Sequence, residues 1–214
     1  MNAPLIPLSS GGEVDLKFIE ERILANIDFL DAMGASGGEP GLQPKPILEL
    51  YNWAKRQGIK TFFNTNGSNP KLISELLAMN LIDHLAIDVK APLKAEVYRK
   101  VIGLNNGVEK IITDIIQSLE QCRKAGISVE VRTTVVPTLI ANEHSIREVA
   151  RVVKNYGVYV LQQYFPLEEV LDKRFRKIKP PDRDTLIKLA KLSLEEGVRE
   201  VYIRTRENGM ERID

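Results

Sequence analysis

An α/β fold, with mainly parallel strands curved into a partial (β/α)6 barrel, is what this 214-residue sequence predicts. Two observations carry it. Short β-branched runs alternate with amphipathic helical runs, one pair roughly every 25 to 45 residues, and parallel neighbours need helical crossovers of that kind. Each apolar run also ends in polar, hydrogen-bonding residues, so successive strands feed one rim. A doubly wound sheet draws ligand contacts from two or three strand ends, whereas a barrel uses most of them. The polar ends recur at strand after strand, which favours the barrel.

Taken in order, Asp15 is suited to cap a helix whose Leu16, Ile19, Ile23, Ile27 and Leu30 recur at three- and four-residue steps. A strand from Ala32 to Ser36 then runs into Gly37-Gly38-Glu39-Pro40. Ile47 to Gln57 reads as helix, with Pro46 in its first turn and Gly58 as C-cap. A second strand, Lys60 to Asn64, stops at Asn66-Gly67. A helix from Lys71 to Met79 and a strand from His84 to Asp88 come next. After Pro92 the pattern loosens, punctuated by Asn105-Asn106-Gly107. Helix Val108 to Lys124 stops at Gly126, and strand Ser128 to Val136 at Pro137. Helix Ser145 to Asn155 leads through Gly157 to a strand from Val158 to Tyr164. A charged linker, Asp172 to Arg183, precedes helix Asp184 to Glu196 and strand Glu200 to Arg204. The expected organisation is an N-terminal segment, 1–14, a barrel body, 15–166, and a linker, helix and strand completing the sheet, 167–214.

Composition excludes several classes. Lys+Arg number 30 against 29 Asp+Glu, a formal charge of +1. That balance lacks the basic excess that general nucleic-acid affinity requires. No apolar run approaches the roughly 18 residues of a membrane helix. The start, MNAPLIPLSSGGEVD, lacks the charged region and apolar stretch of a signal peptide, so a cytoplasmic location is expected. Cys122 is the only cysteine, which excludes an intrachain disulfide or a site built from several thiolates of these residues. It shares a helix face with Val108, Ile111, Ile115 and Leu119 and reads as a small core residue.

The polar strand ends carry the candidate chemistry. Gly37-Gly38-Glu39-Pro40 would leave backbone N–H and C=O groups free for a polar head group, or would be only a turn. Asn64, Thr65 and Asn66 would contact a ligand or cap the next helix. Asp88 and Lys90, two apart, share a face; they would meet in a confined site or form a solvated ion pair. Arg132 sits in the strand VEVRTTVV, where a charge must be paired or hold an anion, and Glu130 on the same face is the competing partner. Gln162 and Gln163 would bind a ligand edge or only cap the sheet. His84 and His144 are isolated and make no metal site. The basic run Lys173, Arg174, Arg176, Lys177 and Lys179 reads as a solvated loop, with a partner-docking patch as the other reading.

In family order, SGGEP (36–40) with Leu42-Gln43, NTNGSNP (64–70), AIDVKAP (86–92), VRTTVVP (131–137) and YVLQQYFP (159–166) resemble the radical S-adenosylmethionine (SAM) superfamily. Within it they most resemble the activating proteins of anaerobic ribonucleoside-triphosphate reductase and related glycyl-radical-enzyme activases. The resemblance implies a TIM-like partial barrel. It also implies that the Gly37-Gly38-Glu39-Pro40 backbone holds the SAM amino group. Asn64, Thr65 and Asn66 would lie near the ribose and sulfonium, Lys90 near the SAM carboxylate with Asp88 lining the cleft, and Arg132 and Gln162 would come from the next strands. Asn64 departs from the Asp often found in activases. A full-length protein would reductively cleave SAM at a 4Fe-4S cluster, using an external electron donor, and form a glycyl radical on a partner such as anaerobic ribonucleotide reductase.

The family's CxxxCxxC loop is not in these residues, whereas Met1-Asn2-Ala3-Pro4-Leu5-Ile6-Pro7 resembles the stretch just after the third cysteine of that loop. The expectation is that the chain is N-terminally truncated, inactive as given, and lacks the first barrel strand. The strand from Ala32 would then expose an edge open to self-association, to domain swapping or to filling by Pro4 to Gly11. The alternatives are a degenerate SAM- or nucleotide-binding module without catalysis, and a lyase or aldolase using Lys90 as a Schiff-base nucleophile.

Overall fold

The computed structural model describes residues 12–166, 170 and 172–214; the segment Pro4 to Gly11 lies outside them. The elements run α1 (Leu16–Leu24), β1 (Ala32–Ala35), α2 (Pro44–Arg56), β2 (Lys60–Thr65), α3 (Pro70–Ala78), β3 (His84–Asp88), α4 (Ala95–Ile102) and α5 (Val108–Ala125). They continue as β4 (Ser128–Val135), α6 (Glu143–Val153), β5 (Val158–Gln163), α7 (Arg183–Glu195), β6 (Val201–Thr205) and β7 (Gly209–Ile213). The strands form one seven-stranded sheet in sequential order, parallel through β6, with β7 antiparallel.

Sequential order has no switch point. With right-handed crossovers it lays the helices on one face of the sheet, as a partial barrel requires. That face holds the main core: Phe63, Leu85, Ile87, Val131, Leu161 and Ile203 from the strands pack with Tyr51, Leu76, Leu119, Ile146 and Leu189 from the helices. Cys122 joins this core at 0% exposure, and burial pushes its thiol up to about 12. It packs as an apolar residue. The short α1 buries nothing fully and instead lays Leu16, Ile19 and Ile23 on a second cluster of Leu50, Trp53, Ala54 and Ile59.

Polar groups beneath the sheet stitch neighbouring strands. The Tyr51 hydroxyl donates to Phe62 O at 2.6 Å and accepts from Ala35 N at 3.0 Å, which ties α2 to both β1 and β2. Thr133 Oγ1 donates to Val89 O at 2.6 Å and accepts from the Tyr159 hydroxyl at 3.0 Å. Each bond satisfies a buried group that would otherwise be orphaned.

Four elements differ from expectation. Helix α1 stops at Leu24, so Ile27 lies in a separate short turn, Ile27–Phe29, and Leu30 is extended. The loose stretch after Pro92 is helical over α4, because Val97, Tyr98, Val101 and Ile102 form a four-residue apolar repeat that packs on the core and Gly103 closes it in the left-handed region at φ 71°. The chain does not end on β6: Asn208-Gly209 turns it back into β7. Helix α2 begins at Pro44, since either proline suits a first turn. Among the described residues β1 pairs only with β2, and Phe29, just before it, is 88% exposed. No described helix is long and apolar enough to cross a membrane.

Candidate functional site

Alternation along each strand sends odd-numbered residues of β2 to β6 into the helix-covered core and even-numbered ones to the opposite face. That second face collects Asn64, Asp88, Arg132 and Gln162 near the strands' C-terminal ends. Register places Asp88 beside Arg132, Thr134 beside Gln162, and Gln162 beside Arg204. Lys90 follows Asp88 on the same parity, and its Nζ donates to Asp88 Oδ2 at 2.7 Å, with both side chains part-exposed. Asn64, Asp88, Lys90, Arg132 and Gln162 therefore share one surface, whereas the predicted Thr65, on the odd parity, is buried.

The loop after β1 reaches this surface at the Ser36 side chain and continues through Gly37-Gly38. Gly37 holds φ at 134°, and a Cβ there would meet nothing within 4 Å, so the conformation excludes a side chain although the space does not. Glu39 is only 8% exposed. Its Oε1 accepts from Thr65 Oγ1 at 2.7 Å and from Gly41 N at 2.9 Å, and its Oε2 accepts from Asn66 N at 2.7 Å. Asn69 Nδ2 adds a bond to Gly41 O at 2.8 Å. The carboxylate thus locks the loop to the end of β2. Glu39 and Thr65 act as positioning residues, their side-chain oxygens taken up internally, and Pro40 opens the short turn Pro40–Leu42.

Asn64-Thr65-Asn66 is not a helix cap. Asn69 caps α3 by accepting from Leu72 N at 3.1 Å, whereas Asn66 Oδ1 accepts from Ser68 N within its own turn. Gly67 at φ 77° packs so closely that a Cβ would lie 2.5 Å from Ile87 Cδ1. The turn is fixed by packing, and Asn64 remains on the site face.

The structure pairs Arg132 with Glu130, the competing partner. Its Nε donates to Glu130 Oε1 at 2.5 Å, and its Nη1 donates to Asn64 Oδ1 at 3.3 Å. Asn64 Nδ2 in turn donates to Ser36 Oγ at 3.0 Å. The guanidinium stands 5.6 Å from the Phe62 ring centre, and Phe62 stacks on His84 at 5.2 Å. Glu130 also lies 3.7 Å from Arg204 Nη2 and 3.9 Å from His84 Nε2. Burial holds the His84 imidazole below its ordinary range; Glu130 pulls it up and Arg132 pushes it down. A connected polar chain thus runs from Ser36 to Arg204.

Sequence reasoning omitted Phe62 and Arg204 from the site. The signal was present: each lies an even step from a predicted residue or its register partner. Gln162 faces the site, while Gln163, on the other parity, is spent on Pro181 O and Arg206 N.

The donor set suits an amino acid head group. Free loop backbone and Asp88 can accept from an ammonium, Lys90 and Arg132 can face a carboxylate, and Asn64 can serve hydroxyls. It does not suit an iron–sulfur cluster. Cys122 is the sole cysteine and lies in the helix-covered core, and no described group of His, Cys, Asp and Glu could hold a metal.

The family model for the radical SAM superfamily matches residues 9–153. A Methanocaldococcus jannaschii protein with a provisional glycyl-radical enzyme activating enzyme name is 36% identical over 187 residues, covering 86% of this chain and 76% of that one. The pyruvate formate-lyase-activating enzyme of Clostridium pasteurianum is 26% identical over 199 residues, 86% of this chain and 79% of that one. Among solved structures, a domain of pyruvate-formate lyase-activating enzyme from Bacteroides vulgatus superposes with a TM-score of 0.62 at 18% identity, covering 81% of this chain and 99% of that domain, a likeness of fold. The sheet order, the matched residues and the Methanocaldococcus relative agree: this chain belongs to the radical SAM superfamily and is similar to its glycyl-radical enzyme activating members.

Proposed function

We propose that this chain is the SAM-binding body of a glycyl-radical enzyme activase, acting on a protein partner of the anaerobic ribonucleotide reductase kind. The observation that supports it is the convergence of Ser36, Asn64, Asp88, Lys90, Arg132 and Gln162 on one face at the strands' C-terminal ends, with Gly37-Gly38 following Ser36. When bound, SAM supplies the group that is cleaved. The residues here bind its amino acid end, orient it, and screen it from water along one side. The cluster thiolates and the electron come from outside these 214 residues, so the chain alone turns over no SAM.

Calorimetry with SAM tests this directly. Binding is expected, and Lys90→Ala should weaken it by about tenfold, the loss of one charge-assisted contact. Absence of SAM heat in the folded chain overturns the reading. A degenerate binding module is the second reading, favoured by the lone buried Cys122. The gene's upstream frame separates the two: a CxxxCxxC within about two dozen residues upstream of Met1 supports the activase, and its absence supports degeneration.

The same reading includes self-association. The edge of β1 that has no partner among the described residues carries neither charge nor proline within Ala32–Ala35, and Phe18, Leu24 and Phe29 stand exposed on the preceding segment. Such an edge templates pairing with a second copy. Light scattering at micromolar concentration should report a dimer, and Ala32→Pro, which removes an N–H that faces away from β2, should return the monomer; a wild-type monomer would exclude the association.

A further inference from the structure

From 172 to 183 the chain sets six cations against two carboxylates, leaving 24 cations against 27 carboxylates elsewhere (30 less six, 29 less two). With Glu168 and Glu169, which lie outside the described residues, the stretch from 167 still has six against four. The fold turns this run outward. Around the turn Phe175–Lys177, the half-buried Phe175 and Ile178 are three apart and face the body, while Lys173, Arg174, Arg176, Lys177 and Lys179 are exposed. Tyr164 Oη donates to Phe175 O at 3.0 Å, and Gln163 Nε2 donates to Pro181 O at 2.9 Å. The strap is thereby pinned to the end of β5, one residue from Gln162. Beside it Arg206, past β6, stands 4.2 Å from the ring centre of the part-exposed Phe165.

Arg174 is paired with Asp172 and Arg183 with Glu211, each at 2.7 Å. Lys173, Arg176, Lys177 and Lys179 have no carboxylate within 4.0 Å among the described residues. Four like charges held together repel one another, and the arrangement is relieved by an anionic surface. We propose that this strap docks an acidic segment of a protein beside the mouth of the candidate site. The proposal rests on the activase reading, in which the partner is a protein. Nucleic acid is disfavoured, because the rest of the chain carries an acidic excess that would face a long phosphate backbone.

Fluorescence anisotropy with a labelled peptide of alternating Glu and Gly tests it, with a Gln/Gly peptide and oligothymidylate of equal length as comparators. The Glu peptide should bind in preference to both, less tightly as salt rises. Changing Lys173, Arg176, Lys177 and Lys179 to Glu should weaken binding by about tenfold or more. Changing the exposed Lys71, Lys100, Lys124 and Lys191 to Glu should leave it intact. Equal loss in the two variants, no preference over the Gln peptide, or tighter binding of oligothymidylate would overturn the proposal. SAM calorimetry on the strap variant checks the fold and separates the two readings. SAM heat without peptide binding by the wild type removes the strap alone, whereas peptide binding without SAM heat removes the activase reading that gives the strap its partner.

Discussion

Glu39→Ala is expected to lower the free energy of unfolding by about 3 kcal/mol, because three donors lose a largely buried carboxylate at once. For a chain of this length that corresponds to a fall in Tm of about 6–12 °C. The functional effect should be of similar size. Loop 36–41 would no longer be held against the end of β2, and the ordering it loses would have to be supplied by the ligand, weakening SAM by about tenfold or more. Glu39→Gln tests the geometry. The amide offers one accepting oxygen, and its NH2 must face a donor, either Asn66 N or the pair Thr65 Oγ1 and Gly41 N. An intermediate loss of about 1–2 kcal/mol is expected. If Glu39 instead touched the ligand and did not position the loop, Glu39→Ala would weaken SAM with no change in urea midpoint. Urea unfolding beside calorimetry therefore separates the roles.

The second large effect is at Arg132. Its side chain and that of Glu130 are each 12% exposed, so Arg132→Met leaves a buried carboxylate with, among the described residues, Arg204 and His84 as the remaining cationic neighbours within 4 Å. Breaking one side of such a pair costs about 3 kcal/mol or more, whereas replacing both partners costs less. The double variant Glu130→Gln with Arg132→Met should accordingly recover much of the loss; additive losses would show that the pair is not coupled.

His84 supplies a readout that packing alone would not move. In the wild type its folded pKa lies below the unfolded value of about 6.5, so the unfolded chain binds the proton more readily. This contribution to stability is present above about pH 6.5 and is lost as pH falls through the folded pKa. Removing Arg132 removes a cation that disfavours imidazolium and leaves Glu130 to favour it. The His84 pKa should rise in Arg132→Met, and the acid-side loss of stability should shrink. Titration of the His84 ring by NMR checks the direction, and an unchanged pKa would disconnect Arg132 from His84.

The elements that sequence made legible are those whose pattern is set locally. Period-two runs marked β2 to β6, four-residue repeats marked α2, α3, α5, α6 and α7, and glycines marked several stops, because those signals depend on neighbours within a turn or two. Helix α4 was obscured by the turn residues around it, although Val97, Tyr98, Val101 and Ile102 carry the repeat. Strand β7 was obscured because its alternation, Met210 and Arg212 against Glu211 and Ile213, becomes informative only beside β6. At the candidate site, polarity at apolar strand ends singled out Asn64, Asp88, Lys90, Arg132 and Gln162, which the sheet places on one face. It could not separate a ligand contact from an anchor, since both require a polar residue at the same place.

By itself the sequence determined the alternating α/β order, the barrel class, the gathering of polar residues at the strand ends, and the lone cysteine as a packing residue. Hydrophobic periodicity and turn chemistry write these directly into local order. Tertiary structure alone decided what each rim residue does. Register brought Asp88 beside Arg132 and Gln162 beside Arg204, and packing turned Glu39 and Thr65 into the clamp of the loop. The pinning of Phe175 and Pro181 to the end of β5 placed the basic strap beside the site. Those outcomes depend on atoms tens of residues apart meeting at about 3 Å, a distance that no local pattern encodes.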